Sequence, residues 1–195
     1  MKSPLFRWLS CSLCALSVLW NTVPAAAQTP AYPARMVKIV NNFPAGGPSD
    51  ILARTMAEAV QSALKQTFIV DNKAGAGGNV GVDMVAKSPA DGYTVLFGID
   101  TAFTVNPHIY KSLPFKTTDL KPVMVMASSG LLVGSFPGTQ IKTLKELVAA
   151  GKAKTLNFSS GGNGSPGHLA VEIFADAAGI KIQHVPYKGN TPAVT

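Results

Sequence analysis

An α/β fold, with a largely parallel sheet and helices on both of its faces, is predicted by three observations. Short apolar runs alternate with segments of helical periodicity along most of the chain. Loops rich in glycine recur between such a run and the helix that follows it. The composition, 47% apolar and 14% charged over 195 residues, excludes disordered, collagen-like and disulfide-rich classes.

The first element is an export leader over residues 1–27. Lys2 and Arg7 form a cationic start, residues 8–20 are uncharged and mostly apolar, and Pro24 precedes Ala25, Ala26 and Ala27, with cleavage expected after Ala27. An uncleaved anchor is the alternative, because no charge interrupts residues 8–34, but the strongly apolar part is shorter than the ~20 residues a spanning helix needs. Cys11 and Cys14 both lie in the leader, so the chain after it has no thiol for a disulfide or a metal site. Export into a bacterial envelope space, without oxidative stapling, is the consistent reading.

After a start at residues 28–33, residues 36–41 read as a buried strand carrying Val37, Ile39 and Val40. The loop 43–50 leads into a helix over 51–65, in which Leu52, Met56, Val60 and Leu64 recur on one face. Residues 68–70 form the next strand, 75–78 a glycine loop, 80–87 a short helix ended near Pro89, and 90–92 a turn. Residues 93–98 make a third strand whose exit loop carries Asp100, Thr101 and Ala102 ahead of Asn106-Pro107. Two β-rich runs, 121–128 and 131–135, break this rhythm and suggest a crossing between domains, which divides the chain into domain 1 over 28–126 and domain 2 over 127–195. Thr143 and Glu146 have capping-box spacing and start a helix through about Lys152. Strand 156–158, loop 159–167, helix 168–178 and strand 180–185 resume the cycle, and Thr191-Pro192 opens another helix.

Charge narrows the partners. Seventeen Lys and Arg face 10 Asp and Glu, and loss of Lys2 and Arg7 with the leader lowers the net charge from +7 to +5. The lysines are spread singly, without the aromatic interleaving of a nucleic-acid groove, so no nucleic acid is expected as a partner. Only Arg35 and Arg54 remain as candidates for a bidentate carboxylate clamp. A bound anion must be held mainly by other donors.

The loops 43–50 and 159–168 supply such donors. The first amides of a helix lack internal partners and carry the positive end of its dipole, and glycine lets a ligand approach them. In an open α/β sheet these loops lie at the carboxyl ends of the strands, where ligands normally sit. Turning the chain is the simpler role for either loop alone. Residues 162–167 formally satisfy G-x-G-x-x-G, but about 20 residues on the chain offers Tyr187 and Lys188 instead of an acid for a ribose hydroxyl. His108, His168 and His184 share no ligand spacing, so no metal or cofactor is expected. His168 suits either an anion contact or capping and packing. Asp50 suits a helix cap that orients the loop, or a partner for a cationic or hydroxyl group on a ligand. Ser49, Thr101, Ser160 and Ser165 are neutral donors, with no G-x-S-x-G elbow and no visible pairing of nucleophile and base, so no catalytic residue is expected.

Five motifs carry a resemblance. Phe-Pro-Ala-Gly-Gly-Pro-Ser-Asp at 43–50, Asp-Asn-Lys-Ala-Gly-Ala-Gly-Gly-Asn-Val-Gly at 71–81, Ser-Pro-Ala-Asp-Gly-Tyr-Thr at 88–94, Asn106-Pro107 and His-Val-Pro-Tyr-Lys-Gly at 184–189 resemble the Bug family. These are the periplasmic substrate-binding receptors of tripartite tricarboxylate transporters. The resemblance implies a type II periplasmic binding protein, a two-domain Venus flytrap, that closes on a small carboxylate and delivers it to a membrane permease without turnover. It implies contacts at Phe43, Ala45, Gly46, Gly47, Ser49, Thr101 and Ala102 in the first domain, and at Ser159, Ser160, Gly164, Ser165 and His168 in the second. It implies a monomer at full length. Alternatives are an exported hydrolase or other enzyme acting on a carboxylate, and a sensor for a membrane signalling partner. Lys73-Ala74 stands where the family usually has Arg-Pro, which affects a loop rigidifier. Family members continue beyond residue 195, so the second domain is expected to be C-terminally incomplete, and the chain to fold poorly and bind weakly.

Overall fold

The computed structural model describes residues 31–194; the expected leader lies outside the described residues. Residues from Pro33 onward form one compact unit. Its elements alternate as expected. Strand β1 (Val37–Asn41) is followed by helix α1 (Pro48–Leu64), β2 (Phe68–Asn72), a 3₁₀ turn at Ala76–Gly78, α2 (Asn79–Ala86) and β3 (Thr94–Phe97). Two four-residue helices, α3 (Thr101–Thr104) and α4 (Asn106–Ile109), come next. Further on are α5 (Leu144–Ala153), β4 (Leu156–Ser160), α6 (Pro166–Ala178), β5 (Ile182–Pro186) and α7 (Thr191–Val194).

The strands form two parallel sheets. The first has the order β2-β1-β3, with Ile39 opposite both Val70 and Val95, and the second pairs β4 with β5, with Phe158 opposite His184. β1 is central, and its Val37, Ile39 and Val40 are almost fully buried. Each such side chain contributes about 1.5–3 kcal/mol on burial. Because alternate residues of a strand face opposite ways, two cores form. Ile39 packs with Ala53 and Ala57 of α1, joined by Phe68, Val70 and Val95; Val82 of α2 packs with Ala102 and Phe115, joined by Leu96. Helices therefore cover both faces of the first sheet, as the alternation predicts.

Three expectations need correction here. The buried face of α1 is Ser49, Asp50, Ala53 and Ala57; of the expected face, Leu52 and Leu64 are 42% and 46% exposed, while Met56 is half-buried and packs against the Ile39 core. Small Ala53 and Ala57 let the helix backbone lie close to the sheet, which leaves Leu52, one position from Ala53, at the rim. Second, residues 121–135 form no strand, and Val123 and Leu132 are 93% and 99% exposed. β-propensity is realised only where a neighbouring strand satisfies the backbone, and among the described residues no strand pairs with this stretch. Third, the β3 exit is helical, not an open loop, with α3 and α4 joined through Val105.

Other local signals are realised directly. Thr143 Oγ1 accepts the Glu146 amide at 3.2 Å while Glu146 Oε2 accepts the Thr143 amide at 3.1 Å, the reciprocal capping box read from the sequence. α6 starts two residues earlier than expected, with Ser165 as its N-cap and Pro166 at the first helical position.

Candidate functional site

Both glycine loops leave the carboxyl end of a strand and enter a long helix, so each presents the amino end of α1 or α6. They are held in shape by different chemistry.

The first loop is organised by a carboxylate. Gly47 is the N-cap of α1, and Asp50, expected as the cap, sits instead in the first turn. Its side chain reaches back to accept the Gly46 amide at 2.8 Å, Asn72 Nδ2 at 2.9 Å and Arg54 Nε at 3.1 Å, and a second Arg54 nitrogen lies 3.0 Å away. Burial alone would raise the Asp50 pKa, but Arg54, the Gly46 amide and Asn72 outweigh it and hold the carboxyl below its ordinary value. Gly46 has φ +77°, a left-handed conformation that glycine adopts without strain. The Phe43 carbonyl receives bonds from Asn41 and Asn72, both at 3.1 Å. Ala45 and Gly46 are exposed, while Gly47, Ser49 and Asp50 are buried. Thr101 and Ala102 are buried at the start of α3, and Ala102 belongs to the hydrophobic core. Asp50 is thus placed to orient the loop, held by Asn72, which the sequence did not single out, and by Arg54, whose expected place as a clamp for a bound carboxylate is taken up by Asp50 itself.

The second loop is organised by neutral groups. The Ser160 hydroxyl lies 2.6 Å from His184 Nε2, accepts the Gly162 amide at 3.2 Å and lies 3.4 Å from the Ser165 hydroxyl. Ser165 Oγ caps α6 by accepting the His168 amide at 3.3 Å, and the Gly164 amide donates to His168 Nδ1 at 3.2 Å. The His168 and His184 rings stack with centroids 3.9 Å apart, and His168 Nε2 points toward Glu172 at 3.5 Å. Ser159 donates to the Ala193 carbonyl at 2.7 Å. The structure thus brings Ser160, Gly164, Ser165 and His168 into one cluster and adds His184, which the sequence reading left unassigned.

A serine and a histidine in contact is the pairing the sequence did not reveal. Parallel register offers the signal: Phe158 and Ser160 lie on one face of β4, and His184 opposite Phe158 lies on the same face of β5. The pair does not present a nucleophile, because Ser160 is 5% exposed and its oxygen also accepts the Gly162 amide. Burial, then the neighbouring His168, lower the His184 pKa, with Glu172 opposing, which keeps the ring neutral. The Ser160 and Ser165 hydroxyls are engaged internally, so the donors of this loop still without a partner are main-chain. Gly167, in the first turn of α6, is one such amide without an intrahelical acceptor.

The two sheets meet near these loops. A methyl group at Gly164 would run into Ile109 and come within 3.1 Å of Asn106 Oδ1, and one at Gly189 would come within 2.8 Å of Pro44. Asn106 is fully buried and donates to the Gly77 carbonyl at 3.0 Å and Asn79 Oδ1 at 2.6 Å. Ile109, Tyr110, Asn163, Gly164, His168 and Leu169 line a cleft of about 300 Å³. Burial raises the Tyr110 pKa there. Of the expected contact residues, only Gly164 and His168 line this cleft; Phe43, Ala45, Gly46, Gly47, Ser49, Thr101 and Ala102 do not. Among the described residues, no group of three or more His, Cys, Asp or Glu is placed to hold a metal ion, and no helix is long and apolar enough to cross a membrane.

Comparison with known proteins gives concordant matches. Residues 52–195 match the model of the tripartite tricarboxylate transporter family receptor. Protein BugT of Bordetella pertussis is 39% identical over 175 residues, covering 88% of this chain and 53% of that protein. Among solved structures, R. palustris Rpa4515 with adipate superposes with a TM-score of 0.81 at 32% identity, covering 84% of this chain and 56% of that one. The periplasmic binding protein BugD gives a TM-score of 0.66 at 33% identity, with 84% and 55% covered. The chain spans about half the length of the curated relatives it matches, 53% and 52% for two of them.

Proposed function

Because the chain belongs to the tripartite tricarboxylate transporter receptor family, we propose that it is an extracytoplasmic solute receptor, acting in the periplasm, that takes a small carboxylate between its two sheets and hands it to a membrane permease. The observation that carries this reading is the pair of strand–glycine loop–helix junctions, each offering the amino end of a long helix, where first-turn amides lack intrahelical acceptors. The scarcity of arginine agrees, since Arg54 is already engaged with Asp50. The adipate held by the R. palustris relative supports the ligand class.

In this reading the first sheet belongs to domain 1 and the second to domain 2, with the boundary near residues 126 and 127. Ligand contacts fall on Phe43, Ala45, Gly46, Gly47, Ser49, Thr101 and Ala102, and on the loop of Ser159, Ser160, Gly164, Ser165 and His168. Asp50 serves the first group by orienting its loop. A carboxylate that touches both loops favours the conformation in which they approach, and that population shift is the signal a permease reads.

The test is titration of the full chain with adipate, citrate, an amino acid and an aromatic acid, alongside native mass spectrometry of the protein as purified. Binding of a carboxylate without its consumption is the expected result. Turnover of the acid would move the protein to the enzyme class, and absence of binding to every acid offered would overturn the reading.

A further inference from the structure

We propose that His184 is a positioning residue: its neutral imidazole takes the Ser160 hydroxyl proton and thereby locks the loop 161–167 at the amino end of α6. The lock itself is a property of the loop; its consequence for carboxylate affinity rests on the receptor reading above.

Counting protons selects this arrangement. Ser160 Oγ has one proton and two lone pairs. Four polar groups approach it: His184 Nε2 at 2.6 Å, the Gly162 amide at 3.2 Å, the Gly162 carbonyl at 3.3 Å and Ser165 Oγ at 3.4 Å. If His184 carried its proton on Nε2, Ser160 would face three donors, the ring, the Gly162 amide and the Ser165 hydroxyl, with two lone pairs. If Nε2 is bare, Ser160 donates to it and accepts from the other two, and every group is matched. The Gly162 carbonyl keeps a partner in either case, because it accepts the Ser165 amide at 3.1 Å.

The second ring completes the lock with the opposite tautomer. His168 Nδ1 accepts the Gly164 amide at 3.2 Å, so its proton is on Nε2, the atom that faces Glu172. The two neutral rings stack 18° from parallel, which restrains both orientations at once. Ser160 and Ser165, 5% and 4% exposed, have no solvent to replace a lost partner. Removing the imidazole acceptor would release the Ser160 hydroxyl to rotate toward the Gly162 carbonyl, disturbing the bonds that bend the chain at Gly162 and Gly164, whose φ angles are +126° and +76°.

Four variants of the full chain test it: His184→Leu, His184→Gln, His184→Asn and Ser160→Ala. The Gln carboxamide reaches about as far as Nε2 and can accept the same proton, whereas that of Asn is too short. In the wild type, ¹⁵N NMR should show Nε2 of His184 unprotonated and Nδ1 protonated. Amide exchange at Gly162 and Gly164 should quicken about tenfold in His184→Leu, His184→Asn and Ser160→Ala, and return to within about threefold of wild type in His184→Gln. The Leu change in a Ser160→Ala background should add little, since the contact is already gone. Adipate affinity should follow the same order. If the wild type binds no acid, the receptor reading fails, while exchange and tautomer still decide the lock. The proposal is overturned by an Nε2-protonated His184, or by exchange at Gly162 and Gly164 that is the same in Leu and Gln variants. Should His184→Leu not fold, Gln against Asn gives the same decision.

Discussion

The loop after β1 and the loop after β4 present the same kind of helix end, yet one is held by an ion and the other by neutral groups. At the first, Asp50 gathers the Gly46 amide, Asn72 and Arg54 around a charged carboxylate. At the second, hydroxyls and imidazoles pass bonds from His184 through Ser160 and Ser165 to the start of α6. A fixed negative charge beside the first loop repels a close anion unless Arg54 and the helix end compensate it, whereas at the second the carboxylate, Glu172, is exposed and stands behind His168 at 3.5 Å. The difference teaches that anion-receptive main chain can be built on either scaffold, and that the two should answer differently to mutation and pH.

The largest expected effect is at the ionic loop. Asp50→Ala leaves the Gly46 amide, Asn72 and Arg54 without their shared acceptor and should lower stability by about 3 kcal/mol, read from denaturant midpoints at unchanged slope. A loss below about 1 kcal/mol would mean that the charged scaffold is dispensable and the contrast between the loops is wrong. Next is Gly164→Ala in the neutral loop. Its positive φ and its contact with Ile109 should together cost about 2 kcal/mol and weaken carboxylate binding, measured by thermal melting and calorimetric titration.

Acid separates the two loops by pH window. His184 has a folded pKa below 6.5, so the unfolded chain binds its proton first, and the stabilisation present above pH 6.5 is lost as pH falls through the lowered folded value. Asp50, lowered from 3.8, contributes stability present above pH 3.8 that disappears only as pH falls through its own folded value. Stability against pH should therefore decline in two stages, with His184→Gln erasing the upper stage and Asp50→Asn the lower. One stage that both variants leave intact would assign the decline to other groups. The smallest effect concerns α1: Leu52→Gln should change stability by no more than about 0.5 kcal/mol, whereas Ala53→Leu should cost about 1–3 kcal/mol by overpacking. The opposite ranking would restore the helix face expected from periodicity.

Much of the fold is legible in the sequence. The apolar run at Val37, Ile39 and Val40 marked the central strand, and Thr143 with Glu146 marked the start of α5, because strand burial and caps are written in residues a few positions apart. The loops at 43–50 and 159–168 were legible for the same reason. The face of α1 was not, because Leu52 and Ala53 are neighbours in sequence and only the closeness of helix to sheet decides which one faces in. The runs at 121–135 carry β-forming residues, but whether they pair depends on what lies beside them. At the site, the serines were legible as donors; what they donate to was not.

By itself the sequence determined the order of strands and helices, the glycine loops between them and the polar, cation-poor character of those loops, since each depends on local periodicity and on conformations only certain residues adopt. Tertiary structure alone decided which donors stay open to a ligand. Ser160 meets a histidine 24 positions away and Asp50 meets an asparagine 22 away. A hydroxyl has one proton to give, and its recipient is settled only when strands and helices bring the competing acceptors within reach.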